Sequence, residues 1–304
     1  MTRTISLTRT ASATRGSRAC RAFVAVAAAA LLALSCVLAG CSSGSTDADG
    51  SSAPAADGAS ADQGSTLRVA MELAYPPFET KDDAGNPEGL AVDFIRDFGA
   101  AYGYDVQIGN TAWDGLIPAL QTDKADLVIS SMTITDERKQ SVDFSDAYAM
   151  AQLAILANVN SGVASIEDLN QPGKKVAVKT GSTGDVYATK NLTNAEIVRL
   201  ADESACVTEV VQGKADGFLY DQLTIYRNHQ ANPDTTEAVF IPFQDAEEWG
   251  IAVKKGNTAL LDQLNAFIAQ SKADGEFDRL TEKYLADEKK AFDEYGFKWF
   301  FDFE

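Results

Sequence analysis

Strand-like apolar runs alternate with helical stretches through this chain of 304 residues, and nearly every run ends in a polar loop. That alternation restricts the fold more than any other feature. Leu67-Arg68-Val69-Ala70-Met71 reads as a strand, and Leu90, Phe94, Ile95, Phe98 and Tyr102 then recur at helical spacing. Residues 104–108 read as a strand, 113–118 as a short helix and 126–129 as a third strand. A β-α-β-α-β order implies parallel strands with helices on the sheet faces, because parallel neighbours need a crossover connection. After a strand at 152–157 and a short helix at 166–169, the pattern restarts. Strands at 175–178, 196–200 and 217–220 alternate with helices, one of them at 203–212 and another running from Asp221 to Asn228. Strands at 238–241 and 250–253 and helices at 258–273 and 275–285 complete the periodic part. No residue-level repeat is visible, but two α/β units of similar layout follow one another.

Ligands of open α/β sheets bind beyond the carboxyl ends of the strands. Glu72, Tyr75 and Phe78 follow the first strand, on a loop stiffened by Pro76-Pro77. The third strand runs into Ser130, Ser131 and Thr133, and then into Thr135-Asp136-Glu137-Arg138, a capped helix start with a guanidinium one turn in. Hydroxyls, free N–H groups and an arginine suit a carboxylate, although a capped helix carrying a solvated arginine has the same local pattern. Thr180, Ser182 and Thr183 follow the strand at 175–178, and Asp221 follows that at 217–220. A cleft between the two units would gather these loops. Arg138 and Asp221 would then present opposite charges from opposite walls, complementary to the carboxylate and ammonium of a free α-amino acid. Tyr75 and Trp113 could cover its side chain.

The ends of the chain differ from its middle. Arg3, Arg9, Arg15, Arg18 and Arg21 precede an apolar stretch at 23–38, and Leu38-Ala39-Gly40-Cys41 closes it with small residues. Residues 1–40 thus read as an export signal. The cysteine resembles that of a bacterial lipobox, which would make Cys41 a lipidated first residue on the outer face of the cell membrane; an ordinary cleaved signal with an incidental cysteine is the alternative. Residues 41–65, rich in Ser, Gly, Ala and Asp, read as a flexible linker. The formal net charge is −18, and loss of the five signal arginines takes it to −23, which argues against a nucleic-acid partner. Past the signal and Cys41 only Cys206 remains, so no internal disulfide is expected, and no metal-type spacing or cofactor motif is present. The stretch 288–304 carries Tyr295, Phe297, Trp299, Phe300, Phe301 and Phe303, an aromatic surface expected to bury itself on its own lobe or against a partner.

Several stretches together resemble the bacterial extracellular solute-binding proteins of family 3, the amino-acid receptors of ABC importers. They are Ala74-Tyr75-Pro76-Pro77-Phe78-Glu79, Trp113-Asp114-Gly115-Leu116-Ile117-Pro118, the run from Ile129 through Arg138 with Val142-Asp143-Phe144-Ser145, Val176-Ala177-Val178-Lys179-Thr180-Gly181-Ser182-Thr183, and Ala215-Asp216-Gly217-Phe218-Leu219-Tyr220-Asp221. The resemblance implies a two-lobed periplasmic-binding-protein-like (type II) α/β fold with a two-strand hinge. It places lobe 1 at 66–155 plus 248–286, lobe 2 at 156–247 and an extension at 287–304, with crossings near 154–158 and 245–250. It implies Arg138 as the clamp on the α-carboxylate, helped by Thr133, Ser182 and Thr183, and Asp221 as the partner of the ammonium, helped near Ser131, with Ser130 also among the ligand-binding residues. Tyr75 and Trp113 would sandwich the side chain, and Glu72 would reach its polar end. The ligand expected is a polar or basic amino acid, with an amide or cystine also compatible, and the partner a membrane permease served by a monomer. An enzyme on the same scaffold, dehydratase-like, and a sensory lipoprotein are the alternatives; the lone His229 and the lack of a nucleophile–base spacing count against the first.

Overall fold

Two five-stranded sheets organise residues 65–295 and 298–303, which are the residues described by this computed structural model. The expected signal, Cys41 and nearly all of the linker lie outside the described residues.

The first sheet has strand order β4-β1-β5-β14-β6. In chain order its lobe runs β1 (Thr66–Met71), the hairpin β2 (Thr80–Lys81) and β3 (Pro87–Glu88), α1 (Leu90–Tyr102), β4 (Asp105–Asn110), a 3-10 turn (Trp113–Gly115), α2 (Leu116–Gln121), β5 (Leu127–Val128), α3 (Asp136–Lys139) and β6 (Val142–Phe144). The chain crosses on β7 (Ala149–Ala151) into β8 (Leu153–Asn158), α4 (Ile166–Leu169), β9 (Lys175–Lys179), α5 (Thr183–Asn191), β10 (Glu196–Leu200), α6 (Glu203–Val211), β11 (Gly217–Asp221), α7 (Gln222–Ala231) and β12 (Thr236–Val239). It returns on β13 (Glu247–Trp249) to β14 (Ala252–Lys254), α8 (Thr258–Ala273), α9 (Glu276–Tyr284) and α10 (Ala286–Tyr295). The second sheet has order β10-β9-β11-β8-β12.

Each sheet has three adjacent parallel strands, β4-β1-β5 in one and β10-β9-β11 in the other, and on one side two more strands joined by antiparallel pairing. Successive side chains of a strand point to opposite faces, so each sheet carries two cores. Val69, Leu127 and Val253 pack under α1, α8 and α9, while Ala70, Val128 and Ala252 pack under α2. In the second sheet Val176, Val178 and Leu219 face one side, and Ala177 and Phe218 the other. The fold is α/β and two-lobed, with sheets flanked by helices, as the alternation of the sequence implies.

The hinge differs from the sequence reading. The outgoing crossing is β7, paired antiparallel with β13, and not 154–158. Those residues are part of β8, buried along its whole length between β11 and β12 of the second sheet. Lobe 2 therefore takes up the chain at β8, slightly before the expected boundary. An apolar run looks the same in a hinge and in a central strand; only its pairing partners distinguish them. The return strand at 247–249 falls within the expected 245–250.

The C-terminal aromatics pack on the chain itself. Phe292, Trp299 and Phe300 are buried in the core built mainly on the first lobe, which Leu223 of α7 also joins. Phe300 lies 5.2 Å from the ring of Phe78 and 5.5 Å from that of Trp249, and its carbonyl accepts a 2.7 Å hydrogen bond from the Met150 N–H of the hinge. Among the described residues, no helix is long and apolar enough to cross a membrane.

Candidate ligand-binding site

The site is assembled from strand ends whose side chains also finish the backbone hydrogen bonding of the turns. At the end of β1 the Glu72 N–H donates to Ser130 Oγ at 2.9 Å, which ties the first loop to the loop after β5. Ser131 follows with φ of +48°, a left-handed conformation uncommon outside glycine, and its hydroxyl donates to Glu79 at 3.2 Å. Thr135 caps α3 by accepting from the Arg138 N–H at 3.2 Å. On the second lobe Ser182 caps α5, accepting from the Asp185 N–H at 3.2 Å. Gly184 lets that helix start close against β11, since a Cβ there would lie 2.5 Å from the Leu219 carbonyl oxygen. Asp221 caps α7, accepting from the Leu223 and Thr224 N–H groups at 2.9 and 3.1 Å.

All ten residues singled out from the sequence line one narrow cavity of about 40 Å³ between the sheets: Glu72, Tyr75, Trp113, Ser130, Ser131, Thr133, Arg138, Ser182, Thr183 and Asp221. Glu79, Leu153, Tyr220, Glu247 and Trp249 complete its walls. Its convergent polar groups are of the kind that fix the orientation of a small molecule.

Arg138 spans the cleft. It donates to the Thr133 carbonyl at 2.7 Å on its own lobe and to the Gly181 carbonyl at 3.1 Å on the other, and its guanidinium lies 5.2 Å from the centre of the Trp113 ring. Burial lowers its pKa and the Glu247 charge opposes that, but an arginine in a protein stays cationic. Asp221 is buried, and burial raises its pKa against the hydrogen bonds from Thr224 and Leu223. The Tyr75 hydroxyl, buried and without a hydrogen-bond partner of ordinary geometry, faces this carboxylate. Its ring stacks on Phe78 and meets Tyr220 and Trp249 edge-on.

Glu72 is not a free carboxylate. It is ion-paired across the cleft to Lys179, which also donates to Glu203 at 3.0 Å. Lys179 is only 1% exposed, and its ammonium lies 5.2 Å from the Trp113 ring centre. Burial by itself lowers the Lys179 pKa, yet the combined pull of Glu203 and Glu72 outweighs it and the net direction is upward. Two acids thus share one cation, and burial together with the neighbouring Glu203 raises the Glu72 pKa. Glu79, 1% exposed, is pushed well above the usual carboxylate range by burial.

Leu153, Lys179, Glu79, Glu203, Tyr220, Glu247 and Trp249 escaped the sequence reading. Lys179 ends an apolar strand and carried no assigned role; a lysine continuing three buried positions was the available signal. Glu79 lies inside the quoted Pro-Pro-Phe-Glu motif. Glu247 and Trp249 lie within the expected return crossing but carried no assigned role. His229 is placed elsewhere, its ring nitrogen 3.0 Å from the Thr236 carbonyl oxygen. Cys206 is buried, its thiol pushed up to about 12 chiefly by burial. Among the described residues, no group of three or more potential ligands could hold a metal ion.

A model of the bacterial extracellular solute-binding proteins, family 3, matches residues 67–287. The chain belongs to that family. Among similar proteins, one from Neisseria gonorrhoeae named "probable histidine-binding protein" is 36% identical over 75% of this chain and 86% of its own length. An L-arginine-binding protein of Pseudomonas aeruginosa is 33% identical over 76% of this chain and 90% of its own. The crystal structure of an ancestral amino acid-binding protein, described as a precursor of cyclohexadienyl dehydratase, superimposes with a TM-score of 0.67 at 38% identity, covering 72% of this chain and 95% of that one.

Proposed function

We propose that the protein captures a free polar or basic α-amino acid between its lobes and delivers it to an ABC permease. It works as a monomer, held to the outer face of the cell membrane through lipidated Cys41. The observation that carries this reading is the convergence of Arg138 and Asp221, from different lobes, on one buried cavity. The α-carboxylate docks on Arg138 with help from Thr133, Ser182 and Thr183, and the ammonium on Asp221 near Ser130 and Ser131. The side chain runs between Tyr75 and Trp113 toward Glu72.

Charge supports the preference for a basic side chain. Glu72, Glu79, Glu203, Asp221 and Glu247 line or adjoin the cavity against two cations, Arg138 and Lys179, so a cationic ligand suits its surplus of acidic groups. The aromatic walls add attraction for a cation. The names of the relatives, one for histidine and one for arginine, agree with this preference. Binding without chemistry is favoured because the Ser130 and Ser182 hydroxyls already accept backbone hydrogen bonds, and His229 lies outside the cavity lining. Calorimetry with each common amino acid, followed by chromatography of the mixture, tests the reading. It predicts saturable heat from one site and recovery of the ligand unchanged. Steady product formation, or no heat from any amino acid, refutes it.

A further inference from the structure

Glu247, like Glu79, is a cavity acid to which the amino-acid reading gives no role. It stands on β13, in the hinge, and its Oε2 accepts two hydroxyl hydrogen bonds, from Thr133 at 2.9 Å and from Thr183 at 2.7 Å. The two donors come from opposite lobes. Its other oxygen accepts from Gln244 Nε2 at 2.7 Å, which holds the carboxylate in place from its own segment. Its negative charge also favours the cationic form of Arg138. Thr133, Thr183 and Arg138 are the groups assigned above to the α-carboxylate of the ligand.

Each hydroxyl has a single proton to donate, so neither can give the same hydrogen to a second carboxylate. Two carboxylates at one site also repel. We propose that Glu247 is an internal stand-in for the ligand's carboxylate, a competitor borne on the hinge that must release the Thr133 and Thr183 hydroxyls beside Arg138 before any α-amino acid can dock. The inference rests on the carboxylate role of that clamp. Occupation by the stand-in lowers the apparent affinity for every ligand by the fraction of molecules whose clamp is filled, and so Glu247 sets the capture threshold of the receptor. It also accounts for the contact of the lobes across the cleft, since one side chain links Thr133 on the first lobe to Thr183 on the second.

Glu247→Ala and Glu247→Gln test the proposal by two readouts. In calorimetry with L-arginine and L-glutamine, Glu247→Ala should bind tighter than the unaltered protein by about threefold or more. Glu247→Gln, which keeps one acceptor oxygen without the charge, should fall between them and carries the test should the alanine variant fail to fold. A smaller gain, or any weakening, overturns the proposal, because a group that assists the ligand loses affinity on removal. The second readout needs no amino acid. Sodium acetate at about 50 mM, compared with sodium chloride at the same concentration, should raise the melting midpoint of Glu247→Ala, whose clamp is free to take an added carboxylate. It should leave the unaltered protein and the double variant Arg138→Ala/Glu247→Ala unmoved. Equal responses of all three overturn the proposal. If no amino acid binds any variant, the receptor reading fails, while the acetate comparison still decides whether the clamp holds a carboxylate.

Discussion

Replacing Arg138 by alanine removes four things at once: the bond to the Thr133 carbonyl, the bond to the Gly181 carbonyl, the stacking on Trp113 and the cation itself. For ligand binding the cation matters most. Truncating one partner of a desolvated, hydrogen-bonded charge pair costs about 2–5 kcal/mol, because the other charge is left buried and unpaired. At about 1.4 kcal/mol per factor of ten, affinity should fall roughly 30-fold to several-thousand-fold, whichever amino acid is bound. Arg138→Lys should fare only partly better. A lysine keeps the charge, but its compact ammonium cannot hold carbonyls of both lobes while presenting two parallel donors to a carboxylate. The cost to folding should be smaller, about 1–3 kcal/mol for a carbonyl left without its donor, partly offset by removal of a buried charge. Calorimetry with the best ligand, alongside thermal melts of the ligand-free proteins, separates the two effects. If Arg138→Ala binds within about tenfold of the unaltered protein, or if its binding loss merely tracks lost stability, the carboxylate assignment is wrong.

Asp221→Asn should keep the cap of α7, since asparagine caps a helix as well as aspartate, yet lose most binding because the ammonium loses its counter-charge. Burial raises the Asp221 pKa above its ordinary 3.8, so its contribution to the stability of the ligand-free protein is full below that value and is lost as pH rises through the raised one. The ammonium needs the ionised form, so affinity should strengthen over the same window, and titrations across acid pH should show that rise in the unaltered protein and a flat profile in Asp221→Asn. Lys179→Met strands Glu72 and Glu203 together and should cost about 3–5 kcal/mol near neutrality, with partial recovery in acid as one of them takes a proton; chemical denaturation at two pH values checks both parts. Phe300→Ala empties a fully buried site against Phe78 and Trp249 and should cost about 3–5 kcal/mol by the same measurement. Because Phe78 and Trp249 also hold the Tyr75 ring, that variant should weaken ligand binding as well.

What could be seen in the sequence was whatever local chemistry repeats. The apolar runs and helical spacings revealed the α/β order, and hydroxyls and acids at strand ends revealed Thr135, Ser182 and Asp221, which cap helices in the structure. A capping residue at a strand end stands by necessity where a sheet presents its ligand edge, so the same signal located the cavity. What stayed hidden depends on partners distant in the chain. Lys179 is tolerated inside only because Glu72, 107 residues earlier, and Glu203, 24 later, meet its ammonium. The strand at 153–158 and the hinge strand at 149–151 share an apolar composition, and only pairing with β11 or with β13 tells them apart. Glu247 reads as one charge among several in an acidic stretch until two threonines from different lobes close on it.

The central claim is that one cavity recognises the carboxylate and the ammonium of the same molecule. Thermal melts across the common amino acids would identify the strongest stabiliser. The decisive comparison sets that amino acid against its decarboxylated amine and its α-keto acid, each of which lacks one of the two groups. Arg138 and Asp221 in their proposed roles require that only the intact amino acid raise the midpoint, since ligand stabilises by mass action. An equal rise with the amine or the keto acid, or no rise with any amino acid, would contradict them.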